Sequence, residues 1–187
     1  MKNLTLEQFN INTDFEQIFA WKKLYQQTPE YQKIVQFIFN GEQSENLALL
    51  LGEMHENHER KNNGRDFVFL AKNEHGEIVG VLVIDTYNAG QKNSSCYVHF
   101  IITNPAHNRK GVAKFMLKTF LLNPENFIGF KPNEVFANIK KNNKPSIELF
   151  KSLGFEPVSE LGTSRLTQLR APLDELQANL KNAKTFN

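Results

Sequence analysis

Apolar residues in the first third of the chain recur at helical spacing, then shift near Arg65 to the shorter runs of a sheet. Residues 4–11 read as a short strand with Leu4, Leu6 and Phe9 turned inward. Phe15, Ile18 and Phe19 open a helix that continues through Trp21, Leu24 and Tyr25. Thr28 as cap and Pro29 in the first turn restart it, and Tyr31, Ile34, Val35, Ile38 and Phe39 keep the helical repeat until Asn40-Gly41. Ser44 caps a further helix carrying Leu47, Leu50, Leu51 and Met54 on one side. From residue 65 the period changes. Strands 67–71 and 78–86 around the turn Asn73-Glu74-His75-Gly76 make a hairpin. A long loop, 88–95, leads to a central strand at 96–103, and helix 112–122 ends near Asn123-Pro124. Phe127, Ile128 and Phe130 decorate a connection longer than it must be. A strand at 135–139, a helix at 145–153, a strand at 155–159 and a strand at 164–171 that closes the sheet follow. Leu173, Leu176 and Leu180 mark a short terminal helix. The chain has no repeats and no linker-like stretch, so the pattern predicts one α/β domain.

The segment TNPAHNRKGVA, residues 103–113, concentrates the chemistry. An apolar strand, Tyr97-Val98-His99-Phe100-Ile101-Ile102, runs through a Pro turn and a basic Gly-bearing loop into a helix. The first N–H groups of a helix have no partner within it, and the macrodipole favours an anion there, such as a pyrophosphate. Gly111 lets a phosphate approach the backbone, and Ala113 keeps the helix close to its neighbours. Arg109, Lys110, Lys114 and Lys118 add positive charge, with no Asp or Glu between Thr103 and Leu122.

Asn108-Arg109-Lys110-Gly111-Val112-Ala113 resembles the Gln/Arg-x-x-Gly-x-Gly/Ala loop of the GNAT family of N-acetyltransferases, which holds the pyrophosphate of acetyl-CoA. A second block downstream, NKPSIELFKSLGF at 143–155, is similar to the family's Asn-x-x-Ala/Ser-x-x-Leu-Tyr-x-x-x-Gly-Phe pattern. One short Gly loop occurs by chance; two blocks in order are specific. The resemblance covers residues 65–170 well and the first sixty only in general pattern. It implies a single GNAT-type domain over 1–187, with 1–64 the helical acceptor-side region and 172–187 a short C-terminal helix or tail. The fold implied is α/β: a mixed sheet of about seven strands flanked by about four helices.

The resemblance also implies direct transfer, a primary amine attacking the thioester of acetyl-CoA as co-substrate with no covalent enzyme intermediate. The amine must lose a proton, the oxyanion needs a donor and the departing thiolate needs a proton. The family's oxyanion donor, a backbone N–H, maps to Ile101, and the Ile101, Ile102 and Thr103 backbone would pair with pantetheine. The phosphate contacts would come from Asn108, Arg109, Lys110, Gly111, Val112, Ala113 and Lys114. Strand alternation puts Tyr97, His99, Ile101 and Thr103 on one face and Val98, Phe100 and Ile102 on the other. Many relatives carry a glutamate where this chain has Tyr97, so His99 becomes the nearby base, with Asp85 and Tyr87 as further candidates and ordered water as the alternative. His99 also reads as a buried histidine satisfied by backbone.

Phe150 stands where many relatives place an acid-donating tyrosine, and Ser146, one helical turn earlier, is the replacement candidate. Ser146 equally suits a first-turn residue bonded to its own helix. Asn143 matches a residue that commonly hydrogen-bonds the cofactor, or else a cap; Ser146 and Phe150 belong to the same cofactor-side set. Asn-x-x-Ser with an apolar residue at the tyrosine position resembles the branch acetylating N-termini of ribosomal proteins. Asn108 departs from the usual Gln or Arg, and Arg109 fills a slot often held by Gly, which argues for an ordinary backbone angle there.

Composition narrows the rest. A formal charge of +2 gives no ground for nucleic-acid or membrane binding. Lys140, Lys141 and Lys144 form a second basic group that is either a solvated face or a phosphate neighbour. The single cysteine, Cys96, excludes an internal disulfide and reads as a buried inert thiol in a reducing, cytoplasmic setting. No signal-peptide-like or membrane-spanning apolar run is visible. His55 and His58 stand at i, i+3, not the i, i+4 of the zinc-protease helix, so no metal is assigned. The acceptor would lie against the first two helices, the hairpin ends and loop 88–95, with Trp21, Tyr25 and Tyr31 as lining candidates. The expected partners are acetyl-CoA and an amine, in a monomer or homodimer. The competing reading is a non-catalytic acyl-CoA sensor of the same fold.

Overall fold

A computed structural model describes residues 3–10, 12–14, 16–18, 20–21, 66–158 and 165–182. The helices expected at 28–39 and 44–54, the pair His55 and His58, and Tyr25 and Tyr31 lie outside the described residues.

Among the described residues seven strands form one sheet in the order β1-β2-β3-β4-β5-β7-β6. They are β1 (Thr5–Gln8), β2 (Asp66–Lys72), β3 (Ile78–Tyr87), β4 (Ser95–Thr103), β5 (Glu134–Lys140), β6 (Glu156–Val158) and β7 (Leu166–Pro172). Among the described strands only β4 and β5 pair in parallel, and every other neighbouring pair is antiparallel. That parallel step needs a crossover, supplied by α1 (Val112–Leu122) and a short α2 (Glu125–Ile128). Helix α3 (Lys144–Lys151) follows β5, and α4 (Leu173–Asn182) ends the described chain. The last strand in sequence does not close the sheet at its edge. β7 inserts between β5 and β6, leaving three-residue β6 outermost.

β2 and β3 read as nearly continuous apolar runs because the sheet is covered on both faces there. On one face Phe69, Leu82, Ile84 and Val98 pack with Met116 and Phe120 of α1 and with Leu173, Leu176 and Leu180 of α4. On the other, Val68, Leu70, Val81, Val83 and Ile102 pack with Phe9, Ile18 and Trp21 of the N-terminal segment. Lys72 pins that segment through an ion pair with buried Asp14 at 2.9 Å. The long connection after α1 turns out to be α2, stopped by Gly129 at φ 80°. It lays Phe127 edge-on against Phe69 at 5.3 Å, a favourable aromatic geometry.

The strict alternation expected along β4 fails. Phe100 pairs with Val83 and Val98 with Ile84, so His99 is an extra residue with no Cα partner on β3. Such a bulge reverses the facing of everything beyond it. Val98 therefore packs with the α1 face while Phe100 and Ile102 pack with the opposite one, and Ile101 joins the α1 side.

Helix α1 approaches β3 where the strand offers no side chain. A Cβ on Gly80 would lie 2.7 Å from Met116 Cε and 2.8 Å from Val112 Cγ1. Met116 can swing away, but β-branched Val112 is stiff. Gly80→Val should cost about 1–3 kcal/mol in urea unfolding. Because Val112 is the first residue of α1, the same variant should also weaken binding of the coenzyme A that the resemblance implies, read by calorimetry.

Candidate active site

The site lies where the sheet opens. β4 and β5 pair only from Ser95, Cys96 and Tyr97 to Glu134, Val135 and Phe136. Beyond Phe136, β5 continues to Lys140 against β7 alone. The two strands thus part after Tyr97, and the bulge at His99 sits at the fork. A gap between parallel strands leaves backbone groups facing it that an extended ligand can pair with.

Polar and aromatic side chains gather on one side of this fork. His99 Nδ1 lies 2.9 Å from Asp85 Oδ2; the imidazole is 31% exposed and the carboxylate 1%. The reading of His99 as satisfied by backbone is thereby replaced: its partner is a buried carboxylate. Tyr97 stacks on Phe136 at 5.1 Å and faces the His99 ring at 5.4 Å. Tyr87 reaches Phe136 at 6.1 Å. Burial pushes the Tyr97 phenol up from its ordinary value; its hydrogen bond with Asn138 opposes this, and the charges of Asp85 and Tyr87 add to the rise. Tyr97 is therefore a neutral hydrogen-bonding group. Gln168 Nε2 donates to Asn138 Oδ1 at 3.1 Å, extending the polar chain across β5 to β7. Asn138 and Gln168 carry no sequence motif and were not legible as site residues. They come together because Asn138 and Gln168 are Cα partners in the β5–β7 ladder.

The loop after β4 is built by local bonds. Asn104 Oδ1 accepts from Ala106 N at 3.0 Å, starting a single 3-10 turn at Pro105–His107. Lys110 Nζ returns to the carbonyl of Ala106 at 2.9 Å. His107 Nε2 meets Glu77 Oε1 at 3.1 Å, tying the loop to the β2–β3 turn. Gly111 caps α1 in the left-handed region, φ 83° and ψ 5°, without a side-chain cap. The first intrahelical donor is Phe115 N, to Gly111 O at 2.9 Å. The N–H groups of Val112, Ala113 and Lys114 therefore point out of the helix end. A Cβ on Gly111 would meet nothing within 4 Å, so the space over this turn is open. An anion cradled by main-chain donors fits there.

Arg109 corrects the sequence reading. Its φ is +58°, the left-handed region, where the ordinary angle of a non-Gly residue was expected. The slot keeps its glycine-like geometry, and the arginine bears a cost of about 1–2 kcal/mol. Its side chain, like that of Lys114, is exposed.

Helix α3 carries the second block. Asn143 is its cap, Oδ1 accepting from Ser146 N at 3.4 Å. Pro145 occupies the first turn. Ser146 is half-buried, and Phe150 is in the core at 2% exposure, edge-on to Phe155 at 5.0 Å. Cys96 is buried and its thiol is pushed well up by burial, with Asp85 adding to the shift; it is no nucleophile. Among the described residues no group of three or more His, Cys, Asp or Glu is placed to hold a metal. No described helix is long and apolar enough to cross a membrane.

The described residues thus form a seven-stranded mixed sheet that parts beside an open helix N-terminus. The profile of the acetyltransferase (GNAT) family matches residues 20–155, and the chain belongs to that family. It is an acetyl-CoA-dependent acyltransferase, with acetyl-CoA as co-substrate. Among solved structures it is similar to a spermidine N-acetyltransferase from Vibrio cholerae in complex with CoA and spermine. The identity is 16%, the TM-score 0.65, and 94% of this chain and 99% of that one are covered. A putative phosphinothricin N-acetyltransferase is 23% identical at a TM-score of 0.61, covering 91% and 99%. An acetyltransferase from Thermus thermophilus is 18% identical at 0.60, covering 91% and 97%. These likenesses concern the fold. A sequence search of curated proteins returns no match.

The loop yields a paired test. Arg109→Gly should raise stability by about 0.5–1 kcal/mol, the strain relieved less the entropy glycine adds. Gly111→Val should lower it by about 1–2 kcal/mol, read as the shift in thermal midpoint.

Proposed function

We propose that this protein transfers an acetyl group from acetyl-CoA to a primary amine of a small molecule or of a protein N-terminus. The observation that carries the reading is the coincidence, within one strand–loop–helix unit, of the parted β4–β5 fork, His99 at that fork and the open N-terminus of α1. Bound acetyl-CoA supplies an activated thioester. The main-chain donors of 109–114, with Arg109, Lys110 and Lys114, hold its diphosphate. The backbone of Ile101, Ile102 and Thr103 holds the pantetheine arm, and the Ile101 N–H polarises the acyl carbonyl.

His99 Nε2 takes a proton from the substrate ammonium, directly or through one water. Tyr97 and Asn138 orient the amine at the fork. The new N–C bond forms as the C–S bond breaks, and the second proton lost by the nitrogen reaches the departing sulfur through the Ser146 hydroxyl of α3, which gives one proton and regains another. Asn143 holds the start of α3 beside the cofactor, while Phe150 supports that wall from the core. The whole chain, 1–187, acts as one domain, with 1–64 on the acceptor side and the terminal helix as a brace. Its workplace is the cytoplasm.

The sensor reading draws its support from Phe150, which has no proton to give and is committed to the core. One assay separates the two. Protein is mixed with acetyl-CoA and a panel of polyamines, amino-acid-like amines and N-terminal peptides, and free thiol is followed. The expected result is thiol release with at least one amine class, reduced on the order of 100-fold in kcat by His99→Gln and less by Ser146→Ala. Tight coenzyme A binding without release across the panel would favour the sensor.

A further inference from the structure

His99 is the residue that the bulge leaves without a Cα partner on β3. Ladder pairing therefore does not fix its position, and an unrestrained imidazole at the fork would sample several rotamers. What holds it is Asp85, at 2.9 Å from Nδ1 and almost fully buried. A carboxylate is costly to bury unless it is matched by a donor, so the pair is a built feature and not a surface contact.

We infer that Asp85 is a positioning residue: it accepts the Nδ1–H of His99 and fixes the tautomer in which Nε2 carries a lone pair toward the fork. A neutral imidazole has one donor nitrogen and one acceptor, and the hydrogen bond made by one nitrogen decides the role of the other. With Nδ1–H on Asp85, Nε2 is the acceptor, the state a base requires. The ring is 31% exposed, so Nε2 has access to substrate or water while Asp85 does not. Around the pair are Tyr97, which is the Cα partner of Asp85, Tyr87, two residues further along β3, the buried thiol of Cys96, and the Phe100 ring 4.3 Å from the imidazole. None of these is a second carboxylate for the ring. The role rests on the acyl-transfer reading for its consequence, but the tautomer does not.

The wild-type protein itself provides the first test. Long-range 15N correlation spectra of the histidine side chains should show His99 protonated at Nδ1 with an unprotonated Nε2. An Nε2–H tautomer would overturn the inference, whatever the activity. Asp85→Asn offers an amide that can donate to Nδ1 and should invert the tautomer. It should reduce kcat on the order of 10- to 100-fold, with acetyl-CoA affinity by calorimetry unchanged within twofold and partial recovery in Asp85→Glu. In a His99→Gln background the same substitution should have no further effect, because residues acting as a unit are non-additive. Multiplying losses, or an Asp85→Asn enzyme with the wild-type tautomer and rate, would sink the proposal. If the wild type releases no thiol with any amine yet shows the Nδ1–H tautomer, the catalytic reading fails and the positioning role of Asp85 stands.

Discussion

One extra residue in β4 controls the geometry of the whole site. Without His99 in the count, β4 would keep register with β3 and its side chains would alternate from end to end. With it, the strand bends and its facing reverses. Val98 and Ile101 face α1 while Phe100 and Ile102 face the N-terminal segment. The pairing with β5 stops at Tyr97 and Phe136. The fork opens beside this extra residue, with the imidazole next to it and the backbone of the last residues of β4 beyond it. A bulge is tolerated here because β3 is anchored on its far side by β2, and both faces of the hairpin are buried.

The loop beyond β4 shows how backbone cost and binding geometry are joined. Two residues, Arg109 and Gly111, take positive φ within three positions. For Gly111 the conformation is nearly free; for Arg109 it costs stability. The chain accepts that cost and turns its main-chain donors outward at the start of α1. The loop is held from behind by Asn104, by the return of Lys110 to Ala106 and by His107 against Glu77. Gly80 completes the arrangement from below, since only a residue without a Cβ lets Val112 and Met116 settle against β3. Preorganised donors of this kind bind an anion without first ordering themselves.

Membership in the acetyltransferase (GNAT) family leaves the chemistry of this chain individual in two places. Where the resemblance implies an acid-donating tyrosine, this chain has Phe150, packed against Phe155. Where it implies a strand glutamate, the chain has Tyr97, a neutral phenol bonded to Asn138. Charge is instead brought in from β3, where Asp85 meets His99. A buried carboxylate is thus present at the fork, on β3 opposite Tyr97 and paired with the imidazole of His99.

The local features were legible in the sequence for a physical reason. A hairpin, a helix start at a glycine and a capped helix such as Asn143 with Pro145 depend on neighbours a few residues apart, and period and turn chemistry record them. The two family blocks are local signals of the same kind, and the mixed sheet was expected only through the resemblance they carry. The angle of Arg109 did not, because a loop closed by Asn104 and Lys110 imposes a conformation that the residue type argues against. Nor did the bulge: alternation reads correctly on either side of His99, and only the register against β3 shows where the count slips. Asp85 and His99 lie 14 positions apart, while Asn138 and Gln168 lie 30 apart. Their meeting depends on strand order and register summed over the sheet. Each segment's own sequence settles what it becomes, and which side chains it finally touches is decided by packing against the others.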